Sequence, residues 1–266
     1  MPYLAKILLY PIKSLDGVEV EQTKVLASGA LEYDREFAIL DGQGKFVNAK
    51  RNDKIHLLRA FYANPFGANR TISLQIPGQK SPQVFHLDRE RQALAAILSD
   101  FFGFAVMVEQ NSLMGFPDDR NSPGPTVIST ATLIEVASWF PGLSIDEIRR
   151  RMRANIEIGG VEPFWEDRLF SEEGDLISFQ VGNVNFFGVN PCQRCIVPTR
   201  NPDSGAAYPN FQKIFVQKRQ ATLPSWVASS RFNHFYRLSV NTRLSISQTG
   251  KTLQIGDEIE ILSSNS

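Results

Sequence analysis

A mostly β fold of two lobes, with a minority of helix, is what this sequence predicts, and three observations predict it. Short runs rich in β-branched and aromatic residues, bounded by Gly, Pro, Asn and Asp, follow one another through the first hundred residues, the spacing of a small barrel or sandwich. Helical periodicity is confined to a few stretches, the clearest being Leu94, Ile97, Leu98 and Phe101 at i, i+3, i+4 and i+7. Residues 115–125 are polar, with three prolines and two glycines, the composition of a connection between lobes. The expected domains are therefore residues 1–120 and 121–266.

Residues 3–10 and 18–26 read as strands separated by the turn Pro11-Ile-Lys-Ser-Leu-Asp-Gly17. Residues 36–41 and 45–49 flank Gly42-Gln-Gly44 and read as a hairpin, and 55–63 and 71–76 as further strands. Residues 88–102 form the helix just described, with Gly103 suited to its C-terminal cap, and 104–109 return to strand. Beyond the connection, Val127-Ile128 leads into a helix from Thr132, where Thr132 and Glu135 make a capping-box pattern. Ser144 and Glu147 make a second, opening a short helix with Ile145, Ile148 and Met152 inward and Arg149, Arg150 and Arg151 mostly outward, as a solvated face. Residues 155–158, 175–181, 184–189, 238–246 and 256–262 read as strands, and 208–218 and 223–229 as short helices.

Lysine plus arginine balance aspartate plus glutamate at 28 each, so no global basic field points to nucleic acid as partner. Two cysteines in 266 residues do not make a disulfide scaffold. The N-terminus lacks the features of a leader peptide, and no apolar run reaches the roughly 18 residues of a spanning helix. A soluble, cytoplasmic protein with no membrane partner is expected.

Both cysteines, Cys192 and Cys195, lie where a strand-like run gives way to the turn Asn201-Pro-Asp-Ser-Gly205, with Arg194 between them. Loops held at strand ends commonly carry ligand and metal chemistry. A neighbouring arginine favours the thiolate, the form that binds metals. A structural zinc site needs four ligands and no second pair exists. A thioredoxin-like dithiol should open a helix, and Pro198 follows too closely for that. On spacing alone, an inert reduced pair and a functional pair are equally good readings. His56, His86 and His234 have no metal-ligand spacing and read as structural or surface residues.

Pro191-Cys-Gln-Arg-Cys195 followed by Asn201-Pro-Asp-Ser-Gly205 resembles the Cys-x-Arg-Cys…Asp-Pro-x-Thr-Gly signature of MOSC domains, named after the C-terminal domain of molybdenum cofactor sulfurase. Asn201 stands for the usual Asp and Ser204 for Thr. Tyr10-Pro-Ile-Lys-Ser14 and Asp34-Arg-Glu-Phe37 resemble the β-barrel domain that precedes MOSC. Arg151-Met-Arg-Ala-Asn155 is similar to the family's Arg-Phe-Arg-x-Asn, and Ile255-Gly-Asp-Glu-Ile259 to its closing strand. The matches cover nearly the whole chain in the family's order, closest to the amidoxime-reducing components and their bacterial relatives. The resemblance implies an N-terminal barrel-like lobe, a C-terminal MOSC β-barrel lobe with flanking helices, and a molybdenum cofactor (molybdenum–molybdopterin) between them. Pyridoxal phosphate is not expected.

The resemblance also implies roles. Cys195 is the expected metal ligand and catalytic centre, since molybdenum takes a soft thiolate well. Lys13, Ser14, Arg35, Arg153 and Asn155 are expected cofactor contacts, Gln193 and Arg194 contacts through the loop. Without the family, Lys13 is a solvated turn lysine, Arg35 a surface ion pair of little worth, and Cys192 a loop-shaping thiol. Ser129 and Thr130 precede a helix, where they serve equally as caps or as donors to the pterin. The implied function is reduction of small N-hydroxylated compounds, hydroxylamino bases and amidoximes. A non-enzymatic cofactor carrier or sulfur-handling module, and a protein using the cleft for another ligand, are the alternatives. Two cysteines cannot hold a plant-type iron–sulfur cluster, and no Gly-x-Gly-x-x-Gly turn is present. The chain also ends soon after its closing strand, so an external donor, a flavin or iron–sulfur reductase, is expected.

Overall fold

A computed structural model describes residues 1–67 and 69–262. In chain order the elements are β1 (Tyr3–Leu9), β2 (Val18–Val20), β3 (Gln22–Lys24), β4 (Phe37–Asp41), β5 (Arg59–Phe61), β6 (Thr71–Gln75), β7 (Gln83–His86), α1 (Arg91–Phe102) and β8 (Val106–Gln110). There follow β9 (Val127–Ser129), α2 (Thr130–Ser138), α3 (Ile145–Met152), β10 (Ile156–Gly159), β11 (Ile177–Val181), β12 (Val184–Gln193), α4 (Phe211–Ala221), β13 (Arg237–Arg243), β14 (Thr252–Gln254) and β15 (Ile259–Ile261). The fold is mostly β, as the turn-bounded runs predict. No described helix is long and apolar enough to cross a membrane.

One eight-stranded sheet dominates, in the order β15-β11-β12-β13-β9-β10-β1-β2. Its two sides approach each other: Leu4 donates to the Asp257 carbonyl at 2.8 Å, Gly256 to the Leu4 carbonyl at 2.8 Å, and Ile259 to the Pro2 carbonyl at 3.0 Å. The first strand of the chain is thus built into a sheet formed mostly by the C-terminal half. β9 and β10 are its parallel pair, Val127 facing Ile156. A parallel pair needs a crossover, and α2 and α3 supply it. Both strands are buried along their whole length, the polar Ser129 and Glu157 included. Leu4, Ile7, Phe179, Phe186 and Val240 fill the interior. A second core lies under β4–β8, β5-β6-β7 and α1, and a third among α2, α3 and α4 around Phe140, Phe211 and Phe215.

Several local expectations give way to tertiary partners. β4 pairs along its length with β8, Phe37 facing Gln110, and the expected hairpin with residues 45–49 is short, held by hydrogen bonds from Val47 to Ile39 and from Asp41 to Lys45, each 2.9 Å. There the Asn48 side chain accepts from the Lys50 and Arg51 amides and turns the chain, leaving one bridge, Leu40 to Phe46. The cap of α2 is Ser129, not Thr132: Ser129 Oγ accepts from the Thr132 amide at 3.0 Å, and Thr132 Oγ1 instead donates to Glu166 at 3.0 Å. Ser144 does cap α3, accepting from the Glu147 amide at 3.1 Å. Residues 223–229 are not helical, because Pro224 biases Leu223 out of the α region.

The arginine run of α3 is not a solvated face. Arg151 is 3% exposed, paired with Glu147 and donating to the Pro198 carbonyl at 2.8 Å. Arg149 pairs with the fully buried Glu157. Only Arg150 is exposed, and it reaches Asp203 at 2.6 Å. In this crossover helix Arg149 and Arg151 find protein partners on the polar side, and the amphipathic pattern does not distinguish a partner from solvent.

Candidate functional site

A cleft of about 990 Å³ lies where the turns after β1 and before β4, the C-terminal end of α3, the 115–125 connection and the end of β12 converge. Residues 115–125, read from composition as a surface connection, form one of its walls. Gly115 (φ +67°) lies so close over the Asp34–Arg35 turn that a Cβ would meet the Asp34 carbonyl oxygen at 2.5 Å. The Phe116 amide then donates to the Arg35 carbonyl at 2.8 Å. Eleven Lys and Arg residues line the cleft against five Asp, in a chain whose charges otherwise balance. The lining of the cleft therefore carries an excess of positive charge.

Tyr10 anchors its inner end. The Arg153 guanidinium stacks on the Tyr10 ring at 4.1 Å and that of Arg35 at 4.9 Å. Arg35 pairs with Asp34, and donates to Asn155 Oδ1 at 3.2 Å and the Arg153 carbonyl at 3.3 Å. Arg153 makes no ion pair among the described residues, and its Nη2 is enclosed without a hydrogen-bond partner. Burial and the neighbouring Arg35 charge push its pKa down. A guanidinium held so calls for an anion. Ser14 (φ +75°), Arg35 (φ +50°) and Arg153 (φ +55°) are all left-handed non-glycine residues on the cleft wall. Each such conformation costs of order 1 kcal/mol, and such residues cluster at ligand sites.

Lys13 is buried, donating to the Phe116 carbonyl at 2.9 Å and Asp118 at 2.6 Å. Burial lowers its pKa, partly offset by Asp118. Burial acts to raise the Asp118 pKa, but the Lys13 and Arg35 charges outweigh it and hold the carboxyl well below the usual range. Asn155 spends its amide on Leu8, Thr126 and Arg35, so it positions Arg35 as well as lining the cleft. Ser129 and Thr130 are not brought to the cleft: Ser129 is fully buried as the cap of α2, and Thr130 Oγ1 donates to Glu157 at 3.3 Å.

β12 runs on past the expected end to Gln193, so Cys192 is the penultimate strand residue and Cys195 lies in the loop beyond. Both thiols are free, half-buried and on the cleft wall. Arg194 Nη1 is 3.4 Å from Cys192 Sγ, and its other nitrogen donates to the Met152 carbonyl at the end of α3. The arginine between the cysteines thus meets the first, and ties the loop to α3. Asp203 completes the rim, bridging Arg59 at 2.8 Å and Arg150 at 2.6 Å. No group of three or more His, Cys, Asp or Glu among the described residues could by itself hold a metal. A metal on one thiolate would take its other donors from its organic part and solvent.

Sequence reasoning missed Tyr10, Arg59, Arg150, Asp118 and His56 as cleft residues. His56 is buried, and burial with the Arg200, Arg153 and Arg59 charges pushes its pKa down to about 4, so it is neutral at neutral pH. Spacing could not find it, since two of the three arginines, Arg153 and Arg200, come from distant segments. The Tyr-Pro-Ile-Lys-Ser motif did contain the signal for Tyr10.

The structure thus defines a mostly β protein with a cationic, thiol-bearing cleft between a small N-terminal unit and a large sheet. The chain belongs to the MOSC-domain family: residues 127–260 match the MOSC domain and residues 1–102 the MOSC N-terminal beta barrel domain. It is 24% identical over 235 residues to mitochondrial amidoxime reducing component 2 of Homo sapiens, covering 76% of this chain and 68% of that protein. It is 25% identical over 235 residues to molybdenum cofactor sulfurase of Drosophila mojavensis, covering 78% of this chain. Here it spans only 29% of the relative's length.

The cation set gives a direct expectation. Arg153→Ala should reduce the retention of an anionic cofactor more than Lys13→Ala or Arg35→Ala, because Lys13 and Arg35 already have carboxylate partners. Cofactor content per folded protein, against Tm, measures this; full occupancy in the triple variant would sink the anion-site reading.

Proposed function

We propose that this protein is a molybdenum-cofactor-dependent reductase of N-hydroxylated compounds such as amidoximes and hydroxylamino bases. The observation that carries the reading is the pairing, in one cleft, of an accessible thiol at Cys195 with the unpartnered guanidinium of Arg153. A pterin phosphate fits the second, and a soft metal the first.

In this reading Arg153, Arg35 and Lys13 hold the cofactor's anionic end, Ser14 and Gln193 line it, and Cys195 ligates molybdenum. The cofactor, when bound, supplies two-electron reduction and oxygen-atom transfer. Tyr10 fixes the two stacked guanidiniums, and Asp203 fixes the loop that carries Cys195 through Arg59 and Arg150. The preorganised charges cost no rearrangement when the anion enters.

Protein from a cofactor-competent host should contain molybdenum by elemental analysis, and should reduce benzamidoxime with reduced viologen as donor. It should not turn over with NADH or NADPH alone, since two cysteines cannot carry a four-thiolate cluster and no dinucleotide-binding turn is present. Adding a flavin or iron–sulfur reductase should restore nicotinamide-driven turnover. Molybdenum without turnover under viologen would favour the carrier reading, and robust NADPH turnover by the pure protein would remove the external donor.

A further inference from the structure

Most cleft cations have acidic partners. Lys13 pairs with Asp118, Arg35 with Asp34, and Arg59 and Arg150 with Asp16 and Asp203. The ledge formed by the end of β12 and the start of β13 is different. Arg237 opens β13 opposite Gln193. Its Nη1 donates to the Pro191 carbonyl at 3.0 Å and its Nη2 to Asn233 Oδ1 at 2.9 Å, while Nε is enclosed without a partner. No carboxylate pairs with it among the described residues. Burial and Arg231 depress its pKa, against the opposing influence of Cys192. Arg194 is in the same condition: its Nε is enclosed and unpartnered, and it forms no ion pair among the described residues. Two guanidiniums therefore stand by Cys192 without compensating charge, Arg194 also reaching the Met152 carbonyl beside Arg153. Next along the ledge Asn241 donates to Asn190 at 2.9 Å, which adds polar but uncharged surface.

We propose that Arg237, with Arg194, forms an anion subsite on the β12–β13 ledge that selects substrates carrying a carboxylate. The inference rests on the reductase reading above and names the substrate class it leaves open. An enclosed guanidinium that lacks a carboxylate gains most from a ligand that brings one, through short charge-assisted hydrogen bonds. The Arg237 fork has fixed donors toward Pro191 and Asn233, so its remaining edge is oriented before the substrate arrives. The same chemistry would suit a cofactor phosphate, and the test separates the two sources.

The cofactor-loaded protein is assayed with benzamidoxime and with 4-carboxybenzamidoxime, and the ratio of the two kcat/KM values is recorded. Benzoate binding to the same preparation is measured by calorimetry. Arg237→Gln should lower the ratio in favour of the carboxylate, and weaken benzoate, by about tenfold, the size expected for hydrogen bonds to a charged group. Arg237→Lys should fall between. An unchanged ratio and unchanged benzoate affinity in a variant of unaltered Tm would overturn the proposal. So would loss of molybdenum from Arg237→Gln, which would assign the cation to the cofactor's phosphate. If the loaded protein turns over neither amidoxime, the reductase reading fails, and the benzoate arm alone then decides the subsite. If Arg237→Gln does not fold, Arg237→Lys carries both measurements.

Discussion

Cys195→Ser should purify folded, with molybdenum content reduced at least about tenfold and viologen-driven amidoxime reduction abolished, while Cys192→Ser keeps most of both. A hydroxyl is a harder and poorer ligand for molybdenum than a thiolate, so the exchange would remove the protein donor proposed above at almost no change in volume. Both cysteines are half-buried and neither is in a disulfide, so neither exchange should move the folding equilibrium by more than about 1 kcal/mol. The two positions differ in surroundings. Cys192 lies within β12 and meets the Arg194 guanidinium at 3.4 Å, whereas Cys195 is in the loop beyond the strand. Elemental analysis and Tm on the two variants side by side make the comparison. Metal lost from Cys192→Ser and kept by Cys195→Ser would exchange the two roles.

Gly188→Ala should destabilise the protein by about 3 kcal/mol, the upper range for forcing atoms into filled space. A Cβ at this position would sit 1.6 Å from the Leu169 carbonyl oxygen, and that obstacle is backbone, not the end of a mobile side chain. The strand cannot retreat either, because Gly188 is paired on both sides, with Ile177 in β11 and Thr242 in β13. Nor can Leu169 easily move: it is fully buried, two residues from the buried Asp167–Arg219 ion pair. For a chain of this size the loss corresponds to a Tm drop on the order of 10 °C. Gly42→Ala, where a Cβ meets nothing within 4 Å, is the control and should stay within about 0.5 kcal/mol. Because β12 leads straight to the cysteines, the Gly188 variant should also lose cofactor at temperatures where it remains folded. A Tm within 2 °C of the parent would show that Leu169 yields after all.

Much of the cleft was legible from motifs. Lys13, Ser14, Arg35, Arg153, Asn155, Gln193, Arg194 and Cys195 all line it, although they come from four separate segments. The residues that complete it were not legible. Tyr10 becomes the stacking platform only because the turn after β1 and the end of α3 meet over it. His56 loses its charge because the fold buries it and sets Arg200 and Arg153, from distant segments, beside it along with Arg59. Ser129 and Thr130 went the other way: the same hydroxyl serves as a cap or as a ligand contact, and the neighbouring Thr132, Glu157 and Glu166 decide which.

By itself the sequence determined the β-rich class, the α1 stripe and its Gly103 cap, the Ser144 cap and the strand runs of the large sheet. Those depend on periodicity and on hydrogen bonds within a few residues, which the local chain carries. Tertiary structure alone decided that β4 pairs with β8, that β1 belongs to the sheet of the C-terminal half, that Arg151 is buried and the half-buried Arg149 turns onto Glu157, and that residues 115–125 wall a cleft. Each is a choice between water and a distant segment as partner for the same polar or apolar group. The free energy of that choice is set largely by groups outside the local pattern, most of them distant in the chain, so the pattern does not record it.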